Sequence, residues 1–228
     1  MEKIVPHELP HVYTDGRTLY THNLVPGQSV YGEKLVPHID IEYRAWNPKR
    51  SKLAAFILKG CGTFPFEKNS KVLYLGAATG TTASHISDIV TEGMVYCVEL
   101  SPIPFRKLVP LCETRADMTP LLADANNPEG YEQLVGEVDV VYQDIAQRNQ
   151  VEIFVKNLRF LKDRGTAYLM VKARSIDVAK DPEEVYDSVK EQIIGGGLNV
   201  IESSDLLPYE KDHMAIVGVA MSSDAIVH

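Results

Sequence analysis

The fold is decided by residues 71–90, which read KVLYLGAATGTTASHISDIV. After Lys71 the first residues are all apolar, which is typical of a parallel strand buried on both faces. Gly76 and Gly80 follow, and glycine permits both a tight backbone turn and the close approach of a ligand. ASHISDIV then places apolar residues at helical spacing. The stretch therefore predicts a buried strand, a glycine turn and a helix, in that order.

Strands and helices alternate along the chain after residue 50. A helix is predicted in SKLAAFILKG, residues 51–60, where Gly60 is a plausible terminator. Further strands are predicted in MVYCVEL (94–100), MTPLLADA (118–125), VDVVYQDI (138–145), GTAYLMVKAR (165–174), LNVIESSDL (198–206) and HMAIVGVAM (213–221). Further helices are predicted in RKLVPLCETR (106–115, interrupted by Pro110), VEIFVKNLRFLKD (151–163) and PEEVYDSVKEQIIGGG (182–197). This order predicts an α/β fold with a doubly wound, mostly parallel sheet, and the last two strands are expected to form an antiparallel hairpin at its edge.

The first fifty residues have a different pattern. Residues 1–46 contain four prolines among Val, Tyr and Ile residues and lack a long helical pattern. Short strands and turns are expected from such a composition. We therefore predict a small N-terminal β-rich domain at residues 1–50 and an α/β domain at residues 51–228.

The net charge of the chain is -8. A protein that holds RNA by itself usually carries a basic excess, which neutralises phosphates and releases counterions. Either nucleic acid is not the substrate, or a local basic patch and separate partners hold it. The patch would consist of Lys49 and Arg50, with Arg174 as a companion, although solvated surface charge is the ordinary interpretation of such residues.

The cysteines and the N-terminus give simpler expectations. Cys61, Cys97 and Cys112 are odd in number and widely spaced, which favours free thiols and no structural metal. The first residues lack the basic and apolar regions of a secretory signal, and no apolar run has the length of a membrane span. We expect a cytoplasmic protein that does not contact a membrane.

Three strand ends carry groups that suit an adenosine cofactor. Glu99 ends the second strand, where an acidic side chain can accept from both ribose hydroxyls. Asp124 could accept from the adenine amino group, and Ala125 would leave room for the ring. Taken singly, the glycine loop is an ordinary turn, Glu99 a solvated strand end and Asp124 a loop cap; together they favour a cofactor. The glycine pattern is incomplete for a nicotinamide-dependent dehydrogenase, which remains a weaker alternative.

Several longer motifs resemble one family. YRAWNPKRSKLAA, KVLYLGAATGTTASHISDIV, VYCVELSP, LLADAN, VDVVYQDIAQ, VKARSID and DLLPYEKDHMAIV occur in family order from Tyr43 onward. The sequence closely resembles fibrillarin in its short archaeal form, which lacks the glycine- and arginine-rich tail of eukaryotic relatives. The resemblance implies the Rossmann-like fold of S-adenosylmethionine-dependent methyltransferases and the transfer of a methyl group to ribose 2'-oxygens of rRNA and tRNA. The implied partners are a box C/D guide RNA, a Nop-family scaffold protein and a kink-turn-binding protein related to a ribosomal protein.

The resemblance also implies a catalytic set, Lys52, Asp144, Lys172 and His213. Methyl transfer to oxygen needs an in-line approach and removal of the hydroxyl proton. Lys172 is the candidate base if its pKa is lowered, with Asp144 orienting it, while Lys52 and His213 would position the ribose and its phosphate or relay the proton. Without the resemblance, a structural ion pair between Asp144 and Lys172 would be the preferred interpretation.

The predicted cofactor-binding residues lie in the glycine turn and at the ends of the next three strands. Thr81 and Thr82 stand near a helix start and suit a carboxylate, although they suit helix capping equally well. The full predicted set is Gly76, Ala77, Gly80, Thr81, Thr82, Glu99, Leu100, Asp124, Ala125, Asp144, Ile145, Ala146 and Gln147.

Two other functions remain open from the sequence. A methyltransferase acting on a protein glutamine or a small molecule would have a similar cofactor half. A catalytically idle assembly module would use the N-terminal domain and an exposed surface for protein binding.

Overall fold

A five-stranded antiparallel sheet forms the N-terminal part of the protein. The structure is a computed structural model, and it describes residues 3–221. The strands of this sheet are β1 (Val5–Pro6), β2 (Tyr13–Thr14), β3 (Leu19–His22), β4 (Leu35–His38) and β5 (Ile41–Trp46), in the order β1-β2-β3-β5-β4. The last strand of this sheet ends at Trp46. The domain boundary at residue 50 stays a prediction.

A seven-stranded sheet with helices forms the remainder. Its strands are β6 (Lys71–Leu75), β7 (Met94–Glu99), β8 (Met118–Leu122), β9 (Val138–Gln143), β10 (Leu161–Lys172), β11 (Leu198–Asp205) and β12 (His213–Ala220). The helices are α1 (Lys52–Leu58), α2 (Thr81–Ile89), α3 (Pro102–Glu113), α4 (Glu132–Val135), α5 (Gln150–Asn157), α6 (Ala173–Ile176) and α7 (Pro182–Gly195). Short 3-10 turns lie at Pro128–Gly130 and Leu158–Phe160.

The strand order is β11-β12-β10-β9-β6-β7-β8. Strands β8, β7, β6, β9 and β10 pair in parallel, whereas β12 is antiparallel to both β10 and β11. The predicted α/β fold with a mostly parallel sheet is confirmed. The last two strands do pair antiparallel, but β12 lies inside the sheet and only β11 lies at its edge.

Several predicted element boundaries are wrong. The strands predicted through residues 125 and 145 end at Leu122 and Gln143. The helix predicted through residue 163 ends at Asn157, because Leu161 already pairs with Val138 of β9 and starts β10. The strand predicted through residue 174 ends at Lys172, where α6 begins.

Helix α3 is longer than predicted, and Pro110 does not interrupt it. It begins at Pro102 instead of residue 106 and runs without a break to Glu113. Pro102 occupies the first turn, where its missing N–H would have had no helical partner in any case.

Apolar clusters cover both faces of the large sheet. Phe56, Ile86 and Leu108 bring α1, α2 and α3 onto one face. Phe154 and Val189 bring α5 and α7 onto the other. Parallel strands must be covered in this way, because their residues are apolar on both sides. Within residues 3–221, no helix is long and apolar enough to cross a membrane.

A buried group of charges joins the two sheets. The Asp88 carboxylate on α2 lies 2.7 Å from Nη1 of Arg115 and 3.6 Å from Nη1 of Arg44 on β5, and Thr21 donates to it at 2.7 Å. Glu33 lies 3.0 Å from Nε of the same Arg44. These charged side chains are almost completely shielded from solvent. The ion pairs between these buried carboxylates and guanidinium groups therefore hold the N-terminal sheet against α2.

A buried histidine completes this junction. His85 stacks on Trp46 with ring centroids 4.8 Å apart, and its ring nitrogens contact the hydroxyls of Thr21 and Tyr31, each at 2.8 Å. Burial lowers the pKa of His85 well below its ordinary value, and the positive charges of the neighbouring arginines act in the same direction. The ring is therefore neutral in the folded protein.

Replacing Asp88 with alanine should destabilise the protein strongly. The substitution leaves two buried guanidinium groups without their shared carboxylate, and loss of one partner from a buried ion pair costs about 3–5 kcal/mol. Urea unfolding would measure the change in the free energy of unfolding. Asp187→Ala is the control, because Asp187 forms only an exposed pair with Lys190, and its loss should cost less than about 0.5 kcal/mol. Equal, small losses in both variants would contradict this account.

His85→Gln should weaken the acid sensitivity of the fold. Because the folded pKa of His85 is below 6.5, only the unfolded chain takes up this proton as the pH falls. The stability contributed by neutral His85 is thus complete above pH 6.5 and is lost as the pH falls toward the folded pKa. Below pH 6.5, the unfolding free energy of the variant should change less steeply, by up to about 1.4 kcal/mol per pH unit. Urea titrations at several pH values, with the exposed-site variant His38→Gln as control, would measure the slopes; identical slopes would refute a neutral His85.

Candidate active site

A pocket opens at the carboxyl ends of the parallel strands. Its lining includes most of the predicted cofactor residues: Gly76, Glu99, Leu100, Asp124, Ala125, Asp144, Ile145, Ala146 and Gln147. It also includes Ala78, Val98, Ala123 and Ile153, which the sequence analysis did not select. A ligand site at this edge is the usual arrangement in open α/β sheets.

Gly76 allows two loops of the pocket to approach each other. Its φ angle is +83°, and a Cβ atom built there would lie 2.6 Å from the carbonyl oxygen of Asp144. Because that oxygen belongs to the backbone, it cannot move aside as a flexible side chain could. The Asp144 amide also donates to the carbonyl of Leu75 at 2.9 Å, which ties the end of β9 to β6.

The other glycine and the threonines of the turn serve packing. A Cβ atom at Gly80 would lie 2.4 Å from Cδ2 of Leu111, so this glycine faces α3 instead of the pocket. The hydroxyl of Thr82 is buried and donates to Ser51 at 3.0 Å. Neither residue lines the pocket, and the same is true of Ala77 and Thr81. The backbone amides at the start of α2 remain the part of this segment that suits an anion.

The two predicted acidic residues hold their own loops. Glu99 accepts from the amides of Ala78 at 2.8 Å and Ser101 at 2.7 Å. Asp124 accepts from the amide of Asn126 at 2.9 Å and from the side chain of Asn127 at 3.0 Å. An ionised carboxylate has about four acceptor positions, so each group can still accept from a ligand. Loop capping and ligand binding are therefore compatible at both residues.

Asp144 pairs with Lys52, and the structural ion pair with Lys172 that would be preferred without the resemblance does not form. The Lys52 ammonium lies 2.8 and 3.1 Å from the two carboxylate oxygens of Asp144, and both side chains are 20% exposed. Ser51 accepts from the amide of Ala54 and so caps α1, which places Lys52 in the first turn. Within residues 3–221, the ammonium of Lys172 forms no ion pair.

Lys172 and His213 lie opposite each other on β10 and β12. Nδ1 of His213 lies 2.7 Å from the carbonyl oxygen of Lys211, which can only accept, so Nδ1 carries the hydrogen. In the neutral ring the lone pair is therefore on Nε2. Burial lowers the pKa of His213, and the charge of Lys52 lowers it further, while Glu210 and Asp144 oppose the shift. The four predicted catalytic residues thus meet at one edge of the sheet.

Gln150 supports this arrangement and was missed from the sequence. Its buried side chain accepts from the amide of Lys172 at 3.1 Å and donates to the carbonyl of Gln147 at 2.9 Å. Gln143 in turn donates to the carbonyl of Gln150 at 2.6 Å. Gln150 therefore links the end of β10 to the pocket loop. The sequence gave little signal, because a glutamine at the start of a helix is usually solvated.

The strand order, the glycine turn and the acidic strand ends together define the class of S-adenosylmethionine-dependent methyltransferases. The family model described as Fibrillarin matches residues 4–222, which is nearly the whole chain. The chain belongs to the fibrillarin family.

Individual relatives agree with this assignment. The fibrillarin-like rRNA/tRNA 2'-O-methyltransferase of Methanopyrus kandleri is 52% identical over 209 residues, which cover 90% of each chain. The crystal structure of Aeropyrum pernix fibrillarin with natively bound S-adenosyl-L-methionine is 43% identical, with a TM-score of 0.87, and the match covers 96% of this chain and 100% of that one. The structure of a fibrillarin/Nop5p complex is 44% identical, with a TM-score of 0.88, and the match covers 95% of this chain and 100% of that one.

Gln150→Ala should loosen the end of β10. The substitution removes the acceptor of the buried Lys172 amide, and an unmet buried hydrogen-bonding group costs about 1–3 kcal/mol. Urea unfolding would measure the stability, and hydrogen exchange at the Lys172 amide would report the local effect. Gln192→Ala on the exposed face of α7 is the control, because within residues 3–221 the side chain of Gln192 hydrogen-bonds only to Ser188 of its own helix. Unchanged exchange at Lys172 would show that Gln150 does not hold this strand end.

Proposed function

We propose that this protein transfers a methyl group from S-adenosylmethionine to ribose 2'-hydroxyls of rRNA and tRNA. The observation that carries the proposal is the meeting of Lys52, Asp144, Lys172 and His213 beside the pocket. The names of the similar archaeal proteins support the same reaction. The bound cofactor of the Aeropyrum pernix relative supports the choice of methyl donor.

The pocket residues fit an adenosine-containing cofactor. Glu99 and Asp124 retain acceptor positions that suit ribose hydroxyls and an adenine amino group, and Gly76 leaves backbone free of a Cβ atom beside Asp144. Ala125 and Ile145 supply apolar surface for a ring and a methionine chain. S-adenosylmethionine supplies a methyl group attached to a positively charged sulfur.

The protein must remove the proton of the 2'-hydroxyl while holding the ribose in line. We assign the role of general base to Lys172, which can accept the hydroxyl proton only as a neutral amine. The Lys52 ammonium, fixed by Asp144, would position the ribose or its phosphate. His213 would relay the proton through Nε2, which carries a lone pair at neutral pH because the pKa of this ring is lowered.

Partners would supply much of the RNA affinity that an acidic chain lacks. The fibrillarin/Nop5p complex supports a Nop-family partner for this chain. A box C/D guide RNA that selects the nucleotide, a kink-turn-binding protein and a cytoplasmic location complete the proposal. With a net charge of -8, the chain alone should bind RNA weakly.

Lys172→Ala should abolish most of the methyl transfer without abolishing cofactor binding. Loss of a general base typically lowers turnover about 10²–10⁴-fold. The measurement is transfer of labelled methyl to a guide-matched RNA, with guide RNA and scaffold protein present or omitted, and with cofactor binding measured separately. Lys68→Ala is the control, because Lys68 is exposed just before β6, at the opposite edge of the sheet.

Transfer to one ribose that requires the partners and fails only in Lys172→Ala would support the proposal. Cofactor binding without RNA methylation would refute it and would favour an idle assembly module, or a methyltransferase that acts on a protein glutamine or a small molecule. The dependence of turnover on pH distinguishes the two possible bases. A plateau already reached below pH 6.5 would assign the base role to His213 instead of Lys172.

A further inference from the structure

Two adjoining depressions lie beside the candidate active site, between the N-terminal sheet and α3. Their volumes are ≈ 450 and ≈ 470 Å³, and Tyr31 and Arg50 line both of them. Lys107 of α3 lines the first, and Arg17 and Lys34 line the second. We call the surface formed by these five residues the basic groove. Volumes of this size are typical of ligand-binding clefts, about 300–1,000 Å³.

The cations of the basic groove have no carboxylate partners. Arg17, Lys34, Arg50 and Lys107 are exposed, and within residues 3–221 none of them forms an ion pair. The acidic residue in the lining, Glu33, is already neutralised by Arg44. The groove is therefore a concentration of free positive charge on a chain whose net charge is -8. Such a surface attracts a polyanion.

Tyr31 gives the groove a rigid aromatic wall. Its hydroxyl lies 2.9 Å from the carbonyl oxygen of Ala45 and 2.8 Å from Nε2 of His85, and it accepts from the amide of Asn47 at 3.3 Å. The guanidinium carbon of Arg50 lies 5.9 Å from the centre of the ring. Cationic side chains held at fixed positions beside a rigid wall suit the regularly spaced phosphates of an RNA strand.

The basic groove leads directly to the candidate active site. Arg50 precedes Lys52 by two residues, a span of at most about 7 Å along the chain. Thr79 lines the first depression, and the adjacent Ala78 lines the cofactor pocket. The groove and the cofactor pocket therefore adjoin each other at residues 78 and 79, and the groove adjoins Lys52 through Arg50.

We propose that the basic groove binds the ribose–phosphate backbone of the RNA strand that carries the target ribose. Arg50 contacts a phosphate near that ribose, and Lys107, Arg17 and Lys34 contact phosphates farther along the strand. The proposal rests on the proposed function, because it assigns the substrate of that site to RNA. The groove supplies affinity for the RNA and positions the target ribose, whereas the candidate catalytic residues carry out methyl transfer.

The test uses a triple variant, Arg17→Gln, Lys34→Gln and Lys107→Gln, which spares Arg50 and every residue of the candidate active site. The matched control is Lys68→Gln, Lys71→Gln and Arg164→Gln. These three residues are also exposed cations without ion pairs within the described residues, and they lie near the amino ends of β6 and β10. Both variants change the net charge equally. Circular dichroism and cofactor binding verify that each variant is folded.

Two measurements follow. The first is the affinity of each protein for a target oligoribonucleotide paired with its guide strand, over a range of salt concentrations. Removing three phosphate contacts should make the slope of log affinity against log salt shallower by about 2 units, whereas the control should retain the wild-type slope. The second is methyl transfer in the assembled particle, where the groove variant should show a raised KM for RNA with kcat and cofactor affinity unchanged.

The outcomes separate the two proposals. If wild type methylates RNA and the groove variant matches the control in both measurements, the groove proposal is refuted and the proposed function stands. If wild type methylates no RNA, the proposed function fails, and the salt slope still decides whether the groove binds RNA. An unchanged slope together with lost binding of the scaffold protein would refute the groove proposal, because the surface would then be a protein interface.

Discussion

The carboxylate of Asp88 is the group on which the arrangement of the molecule depends. It is buried between Arg44 from the N-terminal sheet and Arg115 from the segment after α3, and it also accepts from Thr21. Charges are expensive to bury unless each one is matched by opposite charge and hydrogen bonds, so these elements can be assembled in only one relative position. The buried ion group therefore fixes the position of the N-terminal sheet relative to the large sheet.

The position of the N-terminal sheet in turn determines where the candidate active-site residue Lys52 lies. Strand β5 carries Arg44 and leads within a few residues to Ser51, whose hydroxyl caps α1 and accepts from Thr82 of α2. Lys52 is thereby placed against Asp144 at the end of β9. No residue of the N-terminal sheet lines the cofactor pocket, yet the sheet determines where the candidate catalytic Lys52 and the basic groove lie relative to the parallel strands.

The sequence predicted the fold well because its signals were local. Buried strands such as KVLYL and VDVVYQ have continuous apolar runs, and parallel strand ends meet at one edge, so Glu99, Asp124 and Asp144 were placed together correctly. The ion pair between Asp144 and Lys52 was not predicted, since the position of α1 over the sheet depends on long-range packing. Gln150 was missed for a related reason: its contacts with the ends of β9 and β10 exist only after the sheet has formed. The role of Gly80 at the cofactor stays a prediction, and its packing against Leu111 of α3 is a further constraint that spacing alone does not reveal.

The insertion of β12 between β10 and β11 has a consequence for synthesis on the ribosome. Strands β10 and β11 cannot pair with each other, so both expose unsatisfied backbone until β12 is available. Chains grow at about 5–20 residues per second, and segments nearer the N-terminus can fold first. His213 begins β12, the last strand in the described part of the chain. A nascent chain therefore acquires this candidate catalytic residue only when β12 completes the sheet, which couples completion of the fold to assembly of the candidate active site.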